Sequence, residues 1–467
     1  MLDCFAARPT ARTISINALS VPAYRAWLRK QSKMTAGWLK SIGFKPEPGN
    51  VAQVPSRDGS VSRVVLGLGS EPDQWTFASL RRWLPRGRYA FDGLDPQLAD
   101  MAALGWALSS YRFTRYREDE DKRNPTLVWP QGCDQAMVVR TYEAIALGRD
   151  LINTPAGDLG PAELTGAIDA LAQRHGAEVT VLEGDELLAE GYPAVHAVGR
   201  AASRAPRLAD LRWGDEAAPK LTLVGKGVCF DSGGLDLKSA AGMKLMKKDM
   251  GGAASVLALA HMIMDAALPV RLRVLVPAVE NAVSGNAFRP GDVLQTRKGI
   301  TVEIGNTDAE GRLILCDALA EAATEEPELL IDFATLTGAA RVALGTELPA
   351  LFSNDDALAN AVLDAGLRLH DPLWRMPLHE PYRRHLDSRV ADINNVANVS
   401  TGGAITAALY LREFVPSRQR WAHVDTMAWN SSNRPGRPTG GEVFGVRAFF
   451  DAISALLVPE AAEPDSE

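Results

Sequence analysis

Hydrophobic and polar positions change period repeatedly along the chain. Residues 13–19 and 63–68 are β-rich or alternate, whereas 98–111 is rich in Ala and Leu at helical spacing, which predicts an α/β pattern. A charge run, Arg117-Glu118-Asp119-Glu120-Asp121-Lys122-Arg123, then Pro125, Pro130 and Gly132, has the composition of a solvated linker. Residues 1–135 are therefore expected to form an N-terminal α/β domain with its linker. Val138, Tyr142, Ile145 and Ile152 share one helical face, so 136–160 is read as a connecting helix and loop, ended by Asn153-Thr154-Pro155.

From Pro161 onward helix-like and strand-like segments alternate. Buried strands are expected at 178–182, 221–224, 272–276, 301–304 and 329–333. Helices are expected at 162–173, 253–264, 312–323, 357–370, 404–414 and 444–456. This alternation predicts a larger domain, 161–460, built on a mostly parallel or mixed sheet flanked by helices on both faces. Functional residues then belong on loops at the carboxyl ends of strands. An acidic tail, 461–467, is expected to fray.

Composition narrows the class. Hydrophobic residues make up 46% and charged ones 23%, ordinary globular usage that argues against disorder or a disulfide scaffold. A net charge of −7 supplies no overall basic field for nucleic acid or anionic lipid. Cys4, Cys133, Cys229 and Cys316 include no C-x-x-C pair, so a reducing, cytoplasmic setting is expected. No signal peptide is read at the N-terminus. The most apolar stretch, 253–270, is broken by His261, Asp265 and Pro269, which predicts a buried helix and no membrane partner.

Two segments carry chemistry. One runs from Gly225-Lys226-Gly227 through Asp231-Ser232-Gly233-Gly234 and Lys238 to Met246-Lys247-Lys248-Asp249-Met250-Gly251-Gly252; the other is Asn306-Thr307-Asp308-Ala309-Glu310-Gly311-Arg312-Leu313. Asp231, Asp249, Asp308 and Glu310 offer oxygen ligands for Mg²⁺ or Mn²⁺, which Zn²⁺ also accepts. That many carboxylates could neutralise two divalent ions, and without cations they would raise one another's pKa. Asp308 and Glu310, two apart, would share a face in an extended stretch. Lys226, Lys238 and Arg312 suggest catalysis: a lysine beside metals can become a nitrogen ligand, a protonated one can polarise a carbonyl, and an arginine can hold an oxyanion. A single Asp beside glycines is more often a turn former; the combination is what argues for a site. Spacing alone leaves a peptidase, a phosphatase and a nuclease open.

The octapeptide Asn306 to Leu313 and the block Gly225 to Gly252 resemble the leucyl aminopeptidases, and fainter likeness runs from Arg149-Asp150-Leu151-Ile152-Asn153-Thr154-Pro155 to Trp421-Ala422-His423-Val424-Asp425. The resemblance covers about the last two thirds of the chain. It implies an aminopeptidase with two divalent metal ions per subunit, Mn²⁺ or Zn²⁺ with Mg²⁺ as a further option. Asp231 and Glu310 would bridge the metals, Asp308 would serve the first, and Lys226 and Asp249 the second. Lys238 would polarise the scissile carbonyl and Arg312 would hold a bicarbonate ion as general base. Met246, Asn306, Thr335 and Gly338 would bind substrate, with Leu- or Met-like side chains preferred. The resemblance further implies peptide substrates with a free N-terminus and a homohexamer. Thr426-Met427-Ala428-Trp429 departs from the family's usual Ile-Ala-Gly after Asp425, which bears on the preferred side chain.

Competing signals are poor. His379-Glu380 is followed by Pro381, and Arg383 stands where a zincin helix needs its second histidine. No G-x-S-x-G elbow, Walker loop or G-x-G-x-x-G is present. His423, beside Trp421, is read as a hydrogen-bonded structural residue, and Cys229 and Cys316 as small hydrophobes. The alternatives kept are a dinuclear phosphoesterase and an oligomeric scaffold or DNA-binding role.

Overall fold

The computed structural model describes residues 2–118 and 123–458, so the acidic tail and the middle of the charge run lie outside the described residues. Two compact units are formed, Met1–Ala146 with Ser432–Thr439, and Leu147–Ser431 with Gly440–Glu467.

The first unit is built on a six-stranded sheet in the order Phe5–Ala6, Thr126–Val128, Arg88–Phe91, Ile14–Ser20, Val61–Gly69, Val51–Pro55. Only the last pair is antiparallel. Val64, Val65 and Leu66 are fully buried, so this strand reads as a continuous apolar run rather than an alternation. Helix Ala99–Ser110 is buried along most of its length, which accounts for its Ala/Leu composition.

The second unit holds a nine-stranded mixed sheet. Its order is Trp374–Arg375, Ala350–Ser353, Trp421–Asp425, Leu329–Ala334, Lys220–Gly225, Arg271–Asn281, Arg207–Trp213, Glu178–Glu183, and Gly227–Asp231 pairs with Arg271–Asn281. The four strands from Trp421–Asp425 to Arg271–Asn281 are parallel, and antiparallel pairings begin on either side of them. Alternate residues of Leu329–Ala334 face different layers. Leu330 and Ala334 share a cluster with Leu313, Ile314 and Leu319 of helix Gly311–Ala323. Phe333, opposite, meets Phe449 of helix Val446–Leu457 edge-on, with ring centroids 5.1 Å apart. Burial on both faces is why these strands are mostly apolar, with buried polar residues such as Asp332 and His423 bonded to each other.

Three expectations are corrected. Thr301–Glu303 is not a strand of the main sheet; it pairs with Val293–Gln295 and Ile393–Asn394 in a separate three-stranded sheet. Glu178–Glu183 is an edge strand with alternate side chains in solvent, so it is not buried. Gly227–Asp231 is itself a strand, because parallel pairing with Ala278–Asn281 continues past Gly225. No described helix is long and apolar enough to cross a membrane.

Candidate functional site

Strand ends assemble the site. Lys226 follows strand Lys220–Gly225, and Asp231 is the last residue of Gly227–Asp231. The chain then turns through Gly233 and Gly234, at φ +89° and +66°, a region where side chains are strained. Asp231 Oδ1 accepts hydrogen bonds from the Gly233 N–H (2.8 Å) and from Asn281 Nδ2 (2.9 Å), leaving Oδ2 to face Lys238 Nζ at 2.7 Å. Asp249 lies in the short 3₁₀ helix Met246–Met250, where Thr335 Oγ1 donates to its Oδ1 at 2.7 Å. The next helix starts against the sheet so closely that a Cβ on Gly252 would lie 2.1 Å from the Phe333 carbonyl oxygen.

Asp308 and Glu310 converge by a turn, not by the extended stretch expected. The Asn306 side-chain oxygen accepts from the Asp308 N–H at 2.7 Å, and Glu310 is already helical, the N-cap of Gly311–Ala323. Asn395, fully buried, clamps this turn: its Oδ1 accepts from the Gly305 and Asn306 N–H groups and its Nδ2 donates to the Asn306 carbonyl at 2.7 Å.

Charge is dense here. Lys226 Nζ is 2.8 Å from Asp249 Oδ2 and 3.0 Å from Glu310 Oε1, and Lys238 Nζ is 2.5 Å from Asp308 Oδ1. Burial opposes the Lys226 charge, but Asp249, Glu310 and Asp231 outweigh it and hold its pKa above the ordinary lysine value. Burial, then the neighbouring Asp231, pushes Glu310 up to about 8 and Asp308 up to about 6. Even with two ammonium groups present, the carboxylates are undercompensated. Oxygens of Asp231, Asp308 and Glu310 lie within 4.8 Å of one another, as ligands of a shared cation would. Glu310 Oε2 is buried without a hydrogen-bond partner. The donor set therefore fits divalent cations.

These groups open into a cavity of about 450 Å³. Lys226, Asp231, Lys238, Met246, Asp249, Asp308, Glu310, Thr335 and Gly338 all line it. Asn306 is not among the lining residues; its side-chain oxygen shapes the turn beneath Asp308. Arg312 also stands behind the wall, donating from Nη1 to the Asn395 carbonyl at 2.6 Å while its buried Nε has no hydrogen-bond partner. Thr335 lines the wall but is held against Asp249.

Sequence reasoning did not single out Lys248, Asn281, Arg341 or Asn395. Lys248 lines the cavity while almost fully buried, and burial pulls its pKa below the ordinary lysine value. Its place beside Asp249 was the available signal; Asn281 and Asn395, remote in sequence, offered none. His423 is structural in its geometry, with Nδ1 2.5 Å from Asp332 Oδ1 while Trp421 Nε1 donates to Asp332 Oδ2 at 2.8 Å.

A parallel sheet ending in a glycine-lined cluster of acids and lysines fits the class of metal-dependent hydrolases, which spans peptidases and phosphoesterases. The family model described as cytosol aminopeptidase family, catalytic domain, matches residues 146–450, and that of the M17 aminopeptidase N-terminal domain matches 14–130. The chain belongs to the cytosol aminopeptidase family, the leucyl aminopeptidases of the sequence resemblance. A probable cytosol aminopeptidase of Nitratidesulfovibrio vulgaris is 43% identical over 378 residues, 77% of this chain and 74% of the relative. Another, from Rhodococcus opacus, is 40% identical over 445 residues, 90% and 88% of the two chains. The crystal structure of the Coxiella burnetii cytosol aminopeptidase superposes with a TM-score of 0.93 at 49% identity, covering 97% of this chain and 100% of that one. The bottromycin maturation enzyme BotP, solved in complex with Mn, gives 0.86 at 36% identity over 96% and 100%.

Proposed function

We propose that this aminopeptidase releases N-terminal residues from peptides with a free N-terminus, using two divalent metal ions held by Lys226, Asp231, Asp249, Asp308 and Glu310. The observation that carries the reading is the convergence of Asp231, Asp308 and Glu310 around a buried Glu310 oxygen that has no partner. The Mn-complexed relative supports Mn²⁺, and the mixed nitrogen and oxygen donors also suit Zn²⁺. Bound there, such ions supply Lewis acidity towards a carbonyl and lower the pKa of water towards neutrality.

The protein's own groups do the rest. A protonated Lys238 is favoured, because Asp231 and Asp308 outweigh its partial burial, and Nζ can donate to the scissile carbonyl oxygen as negative charge develops there. Arg312, behind the wall, keeps a buried Nε with no protein hydrogen-bond partner, and a bicarbonate ion held there as general base is what the family resemblance implies. Met246, Leu245, Leu336, Leu348 and Met427 give the wall an apolar portion suited to a Leu- or Met-like side chain. A cytoplasmic homohexamer completes the proposal on the strength of the family resemblance.

The test is hydrolysis of leucine and methionine p-nitroanilides against p-nitrophenyl phosphate after chelation and Mn²⁺ readdition. Metal-restored amide cleavage is expected; phosphate release without it would reverse the choice towards a phosphoesterase. Elemental analysis should give two metal equivalents per chain at saturation, and light scattering a mass six times that of the chain.

A further inference from the structure

We propose that Lys248 and Arg341 form a carboxylate-recognition element on the cavity wall, selecting peptides that carry a free carboxylate near the scissile bond. The inference rests on the aminopeptidase reading and narrows its substrate class.

Four cations line this cavity besides its acids. Lys226 and Lys238 are each committed to two carboxylates. The side chains of Lys248 and Arg341 make no hydrogen bond or ion pair among the described residues. Lys248 is only 6% exposed. Its Nζ is not one of the solvent-excluded atoms left without a partner, so the ammonium is open to the cavity and can receive an incoming anion. Its neighbour Asp249 cannot serve, being held by Lys226 and Thr335. Arg341 rides on helix Gly338–Leu344, and its Nη2 lies 4.0 Å from where a Cβ of Gly338 would stand. Arg341 is exposed, so its paired donors are accessible to a planar carboxylate.

Both side chains line the same cavity as the acids and neither is paired with one of them. Nor does the chemistry at the metal ligands use them. A substrate whose amino end enters the acidic cluster must present its anion elsewhere. That anion is either the terminal carboxylate of a very short peptide or an acidic side chain.

Steady-state kinetics of the metal-loaded enzyme on Leu-Gly, Leu-Gly-amide, Leu-Glu-amide and Leu-Gln-amide separates these sources. Leu-Gly should exceed Leu-Gly-amide about tenfold in kcat/KM, mainly through KM, if the terminal carboxylate is recognised. Leu-Glu-amide should exceed Leu-Gln-amide similarly if a side chain is. In Lys248→Met and Arg341→Gln the ratio should fall towards one, and Lys248→Arg should keep it. Ratios within twofold of one in both wild-type pairs, or unchanged in both charge-removing variants, overturn the proposal. Should the buried Lys248→Met fail to fold, the exposed Arg341→Gln decides. If wild type cleaves none of these substrates, the aminopeptidase reading fails, and calorimetric binding of Leu-Gly against Leu-Gly-amide still decides the carboxylate proposal.

Discussion

Glu310 concentrates the tension of this site: a fully buried carboxyl, one oxygen paired with Lys226 and the other unpartnered. Glu310→Ala should abolish both turnover and metal retention while the protein stays folded, checked by activity, elemental analysis and circular dichroism; normal activity in that variant would refute the site. Asn395→Ala should cost about 1–3 kcal/mol of stability, since the Gly305 and Asn306 N–H groups and the Asn306 carbonyl lose their partner inside the protein. Activity should fall further than stability does, because the freed turn carries Asp308; denaturant melts alongside kcat/KM measure both. His423 makes a different prediction. Burial disfavours its charge, but Asp332 prevails and raises its folded pKa. Its stabilising contribution is therefore complete below the unfolded value of about 6.5 and fades as pH rises through the higher folded value. The stability gap between wild type and His423→Gln should be wider at pH 5.5 than at pH 8.5; an unchanged gap in urea melts would contradict this. The acids and lysines of the site could be seen in sequence because they cluster within short glycine-rich stretches. Asn395 could not, since an amide more than eighty positions away carries no local pattern.

At the scale of elements, the central parallel strands were the most legible part of the fold. Lys220–Gly225 and Leu329–Ala334 are buried on both faces and so appear as largely apolar runs, interrupted only by Thr222 and Asp332 past the first residue. Strands near the sheet margin were harder. Arg207–Trp213, between Arg271–Asn281 and the edge strand Glu178–Glu183, carries Asp210 and Arg212, which pair with each other and with Arg273 and Glu325, and periodicity alone did not predict it. The Gly227–Asp231 strand was hidden by its glycine and its chemistry. The helix following Asp249 shows what close packing demands. A Cβ at Gly252 would stand 2.1 Å from Phe333 oxygen, below any tolerable contact, and backbone cannot yield as a side-chain tip can. Gly252→Ala should therefore displace the helix start, lowering the melting temperature by several degrees and weakening metal binding through Asp249. Differential scanning calorimetry with a metal titration tests it; a melting temperature equal to wild type would show that the helix has room to shift.

For the whole molecule, the two compact units are not two stretches of sequence. Residues 432–439 belong with the first, where Arg437 stacks over Trp75 at 3.9 Å and a Cβ on Gly436 would already press on Trp75 and Ala78 at 3.0–3.1 Å. A fragment beginning at Leu147 would retain this excursion but lose the aromatic surface that receives it. Such a fragment is expected to aggregate or melt earlier than the full chain, whereas one that also replaces 432–439 with a short polar linker should recover part of the loss; thermal melts of both fragments give the comparison. The threaded segment thus works as a staple in the genetic text: the catalytic half cannot be excised, swapped or permuted as one uninterrupted cassette, and any engineered shuffling has to carry two pieces of gene together.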